Sequence, residues 1–177
     1  MTNDSSDAQL ISSILLFDDH RAFKMLSERY RPKIRALFLK LTTGDTELAN
    51  DLMQETYLTM YRRLATYNGK SAFGTWLYQV AYRQFLQMHR ARKPQHSDIH
   101  DDRVTEQFQI QKLDAVAHKM DIDMAMNYLR EEERMAIYLS YAEGYHHEEI
   151  AEIMQVPLGT VKSYILRGRN KLRELLS

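Results

Sequence analysis

The sequence predicts an all-α protein made of two small helical units joined by a flexible acidic linker. Apolar residues recur with the spacing of amphipathic helices, and few segments alternate with a period of two. Only three prolines and six glycines interrupt the 177 residues. In residues 94–104 apolar side chains nearly vanish and acidic ones prevail, which marks the boundary between the two units.

Four helices are expected in the first unit, at about 7–17, 19–42, 46–65 and 72–92. Pro32 is expected to break or restart the second helix, because proline has no N–H group to donate. Asp45 or Thr46 is the candidate cap of the third helix, and Ser71 is that of the fourth.

The second unit is expected to begin near Asp123 with a short helix at about 123–129. The acidic run 131–133 suits the positively charged N-terminal end of the next helix. Gly144 is expected to end that helix. Its apolar stripe is predicted to consist of Met135, Leu139 and Ala142.

Residues 147–172 read HEEIAEIMQVPLGTVKSYILRGRNKL and predict two helices around a short break at QVP. Gln155 stands where a turn glycine is common, so the turn is expected to differ in detail. The first helix has an apolar stripe: His147, Ile150, Ala151 and Met154. The second helix has a polar, basic outward face: Thr160, Ser163, Arg167 and Asn170, flanked by Lys162, Tyr164, Arg169, Lys171 and Arg173.

Such an outward face fits the major groove of DNA, where the first side chains reach base edges and later Lys and Arg meet phosphates. The small residues Gly159 and Thr160 would let the backbone approach a partner closely. A plain helical hairpin with a solvated basic face is the alternative interpretation. Binding of duplex DNA is the favoured one.

The net charge of zero conceals an uneven distribution. Residues 21–93 contain 14 Lys and Arg against 5 Asp and Glu, and residues 161–177 contain 5 against 1. Between them, residues 94–133 contain 4 bases against 10 acids. Two basic blocks around an acidic one indicate that the chain meets a polyanion at two places, although solvated charged faces would give the same counts.

The first basic block also carries many aromatic residues, a combination typical of proteins that stack single-stranded bases on aromatic rings. The loop at 67–71 directly precedes the helix that bears Trp76, and a splayed base could be held there. Part of the aromatic content has the spacing of a core instead, and the core candidates are Phe73, Leu77 and Phe85.

Other classes of function lack support in the sequence. The absence of cysteine excludes disulfides and thiolate metal sites, and no apolar run is long enough to span a membrane. The polar, acidic start differs from a secretory signal, so a cytoplasmic protein is expected. No cofactor, catalytic site or metal site is predicted, because motifs for them are missing and His96 and His100 lie in the acidic linker.

Three stretches together resemble regions 2 and 4 of bacterial RNA polymerase sigma factors, in the short form of the extracytoplasmic-function (ECF) group. They are DLMQETYLTMYRRL at 51–64, FGTWLYQVAYRQFLQMHRARK at 73–93 and HEEIAEIMQVPLGTVKS at 147–163. The resemblance covers about 20–93 and 125–176. It implies a region 2-like domain at 1–93, a linker at 94–122 and a region 4-like domain at 123–177.

The resemblance implies a role for each motif and an anti-sigma factor as a further partner, without insertion into a membrane. Docking on core RNA polymerase would use Asp51, Leu52, Gln54, Glu55 and Leu58. The melted non-template strand of the minus-10 element would meet Tyr67, Asn68, Lys70, Ser71, Trp76, Tyr78, Gln79 and Arg83. The minus-35 element would be read by Thr160, Lys162, Ser163, Tyr164, Arg167 and Lys171.

Tyr164, Leu166 and Gln87 depart from residues that are frequent in the family, which leaves the promoter sequence open. Two other functions remain open at this point. One is a free-standing helix-turn-helix regulator that binds duplex DNA without polymerase, although no heptad pattern supplies a dimerisation surface. The other is an interaction protein that keeps the fold and only sequesters a regulator.

Overall fold

In the computed structural model, which describes residues 5–92 and 121–177, every regular element is helical. The α-helices are α1 (Asp7–Phe17), α2 (His20–Leu41), α3 (Thr46–Arg63), α4 (Phe73–Arg92), α5 (Ile122–Met126), α6 (Glu131–Ile137), α7 (His147–Met154) and α8 (Leu158–Leu176). A 3₁₀ turn at Leu64–Thr66 follows α3, and a π turn at Tyr138–Ala142 follows α6. The all-α prediction is confirmed. Most of the predicted linker, with His96 and His100, lies outside the described residues.

Side-chain caps fix where the first three helices begin. Ser6 begins α1 through a reciprocal pair of hydrogen bonds with Gln9. Asp19 and Asp45 accept hydrogen bonds from the first N–H groups of α2 and α3. Asp45, not Thr46, is therefore the cap of α3.

Pro32 lies inside α2 without breaking it, contrary to the expectation from sequence. Pro32 and Glu28 are both exposed, so water can reach the main-chain oxygen of Glu28 that proline leaves without a helical donor. On the opposite side, Leu26, Ile34 and Leu37 are fully buried and hold both parts of the helix against the core.

One buried apolar cluster extends through the N-terminal unit (α1–α4) and the C-terminal unit (α5–α8). The two units meet where α4 packs on α7 and where α2 packs on α6. Ala142 is exposed, so its prediction as a core residue is wrong, because the wider π turn rotates it away from the stripe of the preceding helix. The core prediction is confirmed for Phe73, Leu77, Phe85, Met135 and Leu139.

A buried arginine joins the two units. Arg134 is only 4 % exposed, and its guanidinium donates to main-chain oxygens at distances of 2.8 to 3.4 Å. Burial lowers the pKa of Arg134 from its usual value, but the negative ends of α2 and α5 favour the cation. The accepting oxygens belong to Lys40 and Leu41 at the end of α2, to Met126 at the end of α5, and to Asn127 and Leu129 after it.

Candidate nucleic-acid interface

The turn between α7 and α8 has the conformation of a glycine turn although it contains none. Gln155 ends α7 with a φ of 56°, in the left-handed region, and its N–H donates to the oxygen of Ala151. Pro157 then precedes α8, whose first turn has no side-chain cap. The N–H groups of Leu158 and Gly159 are therefore available to a phosphate, whereas that of Thr160 donates to the oxygen of Pro157 at 2.9 Å.

Close packing on α6 orients α8. Val161 and Ile165 are buried, and so is Gly168, in the middle of a basic helix. A Cβ atom at Gly168 would lie 2.9 Å from Cγ1 of Ile137, so only glycine allows this approach of the two helices. The sequence analysis missed Gly168, although a glycine within a strong helical pattern was an available signal.

The outward face of α8 agrees with its prediction. Lys162, Ser163 and Arg167 are exposed, whereas Thr160, Tyr164 and Lys171 are partly covered by the rest of the unit. The Ser163 hydroxyl donates to the oxygen of Gly159 at 2.9 Å, and burial raises the pKa of Tyr164. The exposed side chains lie together along one side of the helix, as a reader of duplex DNA requires.

Arg167 is held in place by an acidic residue on α6. Its Nε donates to Oε1 of Glu133 at 3.0 Å, and its guanidinium lies 5.3 Å from the centre of the Tyr164 ring. Glu133 is only 7 % exposed, and its second oxygen accepts from the N–H of Arg130. Glu133 was not predicted as part of the site, because its sequence neighbours indicate only a helix start.

The loop at 67–71 is closed by its own side chains. The Tyr67 hydroxyl donates to the main-chain oxygen of Ser71 at 2.7 Å, and the side-chain oxygen of Asn68 accepts from the N–H of Lys70 at 3.0 Å. Gly69 has a φ of 70°, which completes the tight turn. Asn68 and Lys70 are thus exposed to solvent. The main-chain oxygen of Ser71 accepts the hydrogen bond that closes the loop, and the Ser71 side chain does not cap α4.

Trp76 belongs to an aromatic cluster beside this loop. Its ring centre lies 5.6 Å from that of Phe73 and 5.8 Å from that of Tyr67, and the indole is partly exposed. The sequence analysis assigned no role to α1, but residues of α1 line a groove beside the loop. The groove is lined by Ser6, Asp7, Ala8, Ile11, Arg29, Tyr67, Gly69, Ala72 and Phe73.

One side of α4 is covered by the C-terminal unit. Tyr78 is 1 % exposed and packs edge-on against Tyr145, and burial raises the pKa of Tyr78. Gln79 donates to the oxygen of Glu152 at 3.2 Å, and Arg83 donates to the side-chain oxygen of Gln155 at 3.4 Å. In this arrangement Tyr78 cannot contact DNA, which corrects its prediction as an exposed binding residue.

The outer face of α3 combines acidic and apolar side chains. Asp51, Gln54 and Glu55 are exposed, and Leu58 is 48 % exposed beside them. Leu52 is fully buried, so it supports the helix from within and does not form part of its outer face, contrary to its prediction. Exposed carboxylates around an apolar residue suit a partner with basic residues around an apolar one.

None of the described helices is long and apolar enough to cross a membrane. Within residues 5–92 and 121–177, no three His, Asp or Glu side chains are grouped so that they could hold a metal ion.

Comparisons with known proteins match each unit to a family. Residues 26–95 match the family described as sigma-70 region 2, and residues 119–172 match the family described as sigma-70, region 4. The two matches occur in one chain, in that order.

The chain also resembles curated proteins over almost its whole length. It is 30 % identical over 188 residues to the RNA polymerase sigma-H factor of Pseudomonas aeruginosa, covering 99 % of this chain and 96 % of that protein. It is 33 % identical over 177 residues to the ECF RNA polymerase sigma-E factor of Escherichia coli K12, covering 89 % of this chain and 90 % of that protein.

Two solved structures share the fold. One is the sigma factor RpoE in complex with the anti-sigma factor NepR from Bartonella quintana, with a TM-score of 0.66, 26 % identity, and coverage of 88 % of this chain and 97 % of that one. The other is CnrH in complex with the cytosolic domain of CnrY, with a TM-score of 0.65, 20 % identity, and coverage of 96 % and 93 %.

Proposed function

Because the chain belongs to the extracytoplasmic-function group of the sigma-70 family, we propose that its two units act together on core RNA polymerase to start transcription at specific promoters. The supporting observation is that both units occur in one chain, each with its own surface for a partner. The family consists of initiation factors, not enzymes, and the chain is a polymerase-binding sigma factor of this kind.

Docking on core polymerase is assigned to the outer face of α3. Asp51, Gln54, Glu55 and Leu58 would contact the polymerase, while Leu52 keeps the helix anchored to the core. Acidic side chains at the rim would steer association with a basic surface, and Leu58 would supply apolar contact at its centre.

Binding of the melted minus-10 strand is assigned to the 67–71 loop and α4. The exposed loop residues Asn68 and Lys70 are suited to a base edge and a phosphate, and the partly exposed Trp76 is suited to stacking. Tyr67 and Ser71 would hold the loop in shape through their mutual hydrogen bond. Farther along α4, the surface for the strand is assigned to Gln79 and Arg83.

Reading of the minus-35 element is assigned to α8. Its uncapped start would meet a phosphate, and Thr160, Ser163 and Arg167 would face the major groove. Lys162 and Lys171 would neutralise phosphates on either side, and Tyr164 would support Arg167 from within the unit.

An anti-sigma factor that covers polymerase-binding surfaces is the expected regulator. The cytoplasm, where polymerase acts, is the expected location.

The experiment that tests this function adds the purified protein to bacterial core RNA polymerase with a genomic template library. The 5′ ends of the transcripts are then sequenced. Transcripts that share an upstream pair of motifs and vanish without the protein are the expected result. Binding of duplex DNA without any protein-dependent initiation would contradict the assignment and favour a free-standing regulator.

A further inference from the structure

On the basis of the function assigned to α8, we propose that Glu133 is a positioning residue for recognition of the minus-35 element. Glu133 lies on α6, outside the helix that meets DNA, and acts through Arg167. It holds the guanidinium of Arg167 in one orientation, with the terminal nitrogens directed at a guanine. Because the same carboxylate is negatively charged, it lowers affinity for every duplex while it raises the preference for one base pair.

The close approach of α6 and α8 brings Glu133 within reach of Arg167. A Cβ atom at Gly168, the residue after Arg167, would lie 3.5 Å from Cβ of Glu133. The same atom would lie 2.9 Å from Cγ1 of Ile137, so a larger residue would force the two helices apart. With glycine at this position, Nε of Arg167 donates to Oε1 of Glu133 at 3.0 Å.

Two hydrogen bonds fix the carboxylate of Glu133. Oε2 accepts from the N–H of Arg130 at 3.3 Å, where α6 begins, and Oε1 accepts from Arg167. The side chain is buried, so water competes little for these bonds. Because both oxygens are engaged, the carboxylate has one orientation, and it imposes that orientation on the guanidinium.

The contact uses one edge of the Arg167 guanidinium and leaves its outer end available. Nε donates to Glu133, whereas Nη1 and Nη2 have no hydrogen-bond partner within residues 5–92 and 121–177. The Tyr164 ring covers one face, with 5.3 Å between its centre and Cζ of Arg167. The arginine side chain is still 53 % exposed. The guanidinium is therefore held on one edge and one face, and its terminal nitrogens reach solvent.

These terminal nitrogens match guanine better than the other bases of the major groove. Guanine presents O6 and N7 as two adjacent acceptors, which two arginine N–H groups can meet at once. Adenine presents one acceptor and one donor, and its donor would oppose an N–H group of arginine. Arg167 lies four residues after the exposed Ser163, one turn along the face that is assigned to base edges.

A fixed arginine favours selectivity over affinity. Ordering an unheld arginine during binding would lower affinity for the correct base about two- to tenfold, and Glu133 removes this loss beforehand. An unheld arginine could also turn to a phosphate when the guanine is replaced, whereas the held one cannot follow. The charge of Glu133 offsets part of the attraction between Arg167 and phosphates, so affinity for duplex DNA as such is reduced.

Transcription by core polymerase with this protein tests the split between selectivity and affinity. The templates carry every single base-pair change in the minus-35 element. Glu133→Met keeps an unbranched side chain without an acceptor, and the preference for G·C at one position should fall about two- to tenfold. Affinity of the polymerase complex for a duplex without the motif should rise, because a negative charge is removed. An unchanged preference for G·C would overturn the proposal.

Glu133→Asp separates position from charge. The shorter side chain keeps the negative charge but draws its oxygens back from Nε of Arg167. The preference for G·C should fall as in Glu133→Met, without the rise in affinity for a duplex that lacks the motif. If Glu133→Asp keeps the original preference, charge and not position sets the selectivity, and the proposal fails.

The matched control is Glu149→Met. Glu149 accepts from the N–H of His146 at 2.9 Å at the start of α7, as Glu133 does for Arg130 at the start of α6. Loss of this cap should leave the preference for G·C unchanged. The same loss of preference in Glu149→Met would show that helix capping, not the contact with arginine, is responsible.

A double-mutant cycle tests whether Glu133 acts through Arg167. In Arg167→Ala, which has no guanidinium to orient, a further Glu133→Met change should leave the pattern of base preferences as it is. If the double variant loses preference beyond Arg167→Ala, Glu133 acts on the fold of the unit and not through the arginine. That outcome would overturn the positioning role.

A measurement on the protein alone keeps this proposal separate from the sigma-factor assignment. In protein labelled with ¹⁵N-arginine, the Nε–H signal of Arg167 is identified by its absence in Arg167→Lys. Its exchange with water should be slower than that of the exposed Arg169, and Glu133→Met should abolish the protection. Absence of initiation by the unmodified protein would reject the sigma-factor assignment. Absence of protection at Arg167 would reject the positioning role, whatever the outcome of transcription.

Discussion

α4 and α8 have nearly the same length, and both are assigned to promoter DNA, but they differ in what surrounds them. α8 packs its apolar side on α6 and leaves Lys162, Ser163 and Arg167 in solvent. α4 is covered on two sides, by the core of its own unit and by α7. Within α4, Tyr78 is buried completely.

The difference follows from the chemistry of the two targets. A duplex reader needs polar and basic side chains on one face, and such a face is stable in water. A single-strand surface needs aromatic residues, and an aromatic surface also packs well against protein. The same rings that would stack on bases can therefore hold another part of the chain while DNA is absent.

The contact between the units depends most on Arg134. In Arg134→Ala, the carbonyl groups around it lose a charged donor, and the free energy of unfolding should fall by about 3 kcal/mol or more. Arg134→Lys should recover only part of this loss, because an ammonium group cannot span the same acceptors. Chemical denaturation measures both. The exposed Arg169→Ala should stay within about 0.5 kcal/mol of the original, and an equally small effect at Arg134 would contradict its role.

The free face of α8 depends on the approach of that helix to α6. Gly168→Ala forces a methyl group against Ile137 and should destabilise the protein by about 1–3 kcal/mol and weaken minus-35 binding. Gly159→Ala is the control in the same helix. No atom lies within 4 Å of its Cβ position, so it should be neutral or stabilise by about 0.5–1 kcal/mol. Thermal unfolding compares the stabilities of the two variants, and duplex titration measures the minus-35 binding of Gly168→Ala. Equal stabilities would contradict the close-approach argument.

Trp76 tests whether the uncovered part of α4 meets bases. Trp76→Ala should weaken strand opening by about 1–3 kcal/mol and leave affinity for core polymerase unchanged, because stacking is lost without a change in α3. Trp76→Phe should retain much of the strand opening, because its ring can still stack on a base. Strand opening is measured by comparing each variant on a duplex promoter and on one that is already melted. Equal loss of polymerase binding and strand opening would identify Trp76 as a core residue only.

Arg167 has the smallest expected effect, because Glu133 already binds it in the free protein. Arg167→Ala should reduce promoter use by an amount near the lower end of about 1–3 kcal/mol if the side chain contacts a base. Transcription from promoters that differ at single minus-35 positions is the measurement. A uniform reduction would indicate a phosphate contact, and unchanged activity on all of them would remove Arg167 from the reading face.

Local features of the fold were predictable from sequence. The spacing of apolar residues located the helices, and the polar, basic pattern after Pro157 identified the face of α8 that is exposed. Pro32 and Ala142 were misjudged, because a helix interior can keep an exposed proline and a π turn changes the register.

The contact between the units was not predictable in this way. Tyr78 and Leu52 carry no sign of which neighbour will bury them, since periodicity reports one face of one helix. Arg134 has the appearance of a surface residue in an acidic run, and its partners are distant main-chain oxygens. Gln155 was recognised as unusual, but only the structure shows that it adopts the glycine conformation of the turn.

Arg134 reaches α2 only through the main-chain oxygens of Lys40 and Leu41, and this affects how the sequence can diverge. The side chains of Lys40 and Leu41 do not enter the contact with Arg134, although that of Lys40 pairs with Asp123 and that of Leu41 is buried. As far as the Arg134 contact is concerned, substitutions there can accumulate, provided that the helix still ends at the same place. Evolutionary pressure on this one contact therefore falls on position 134, and a search for covarying residue pairs would miss it.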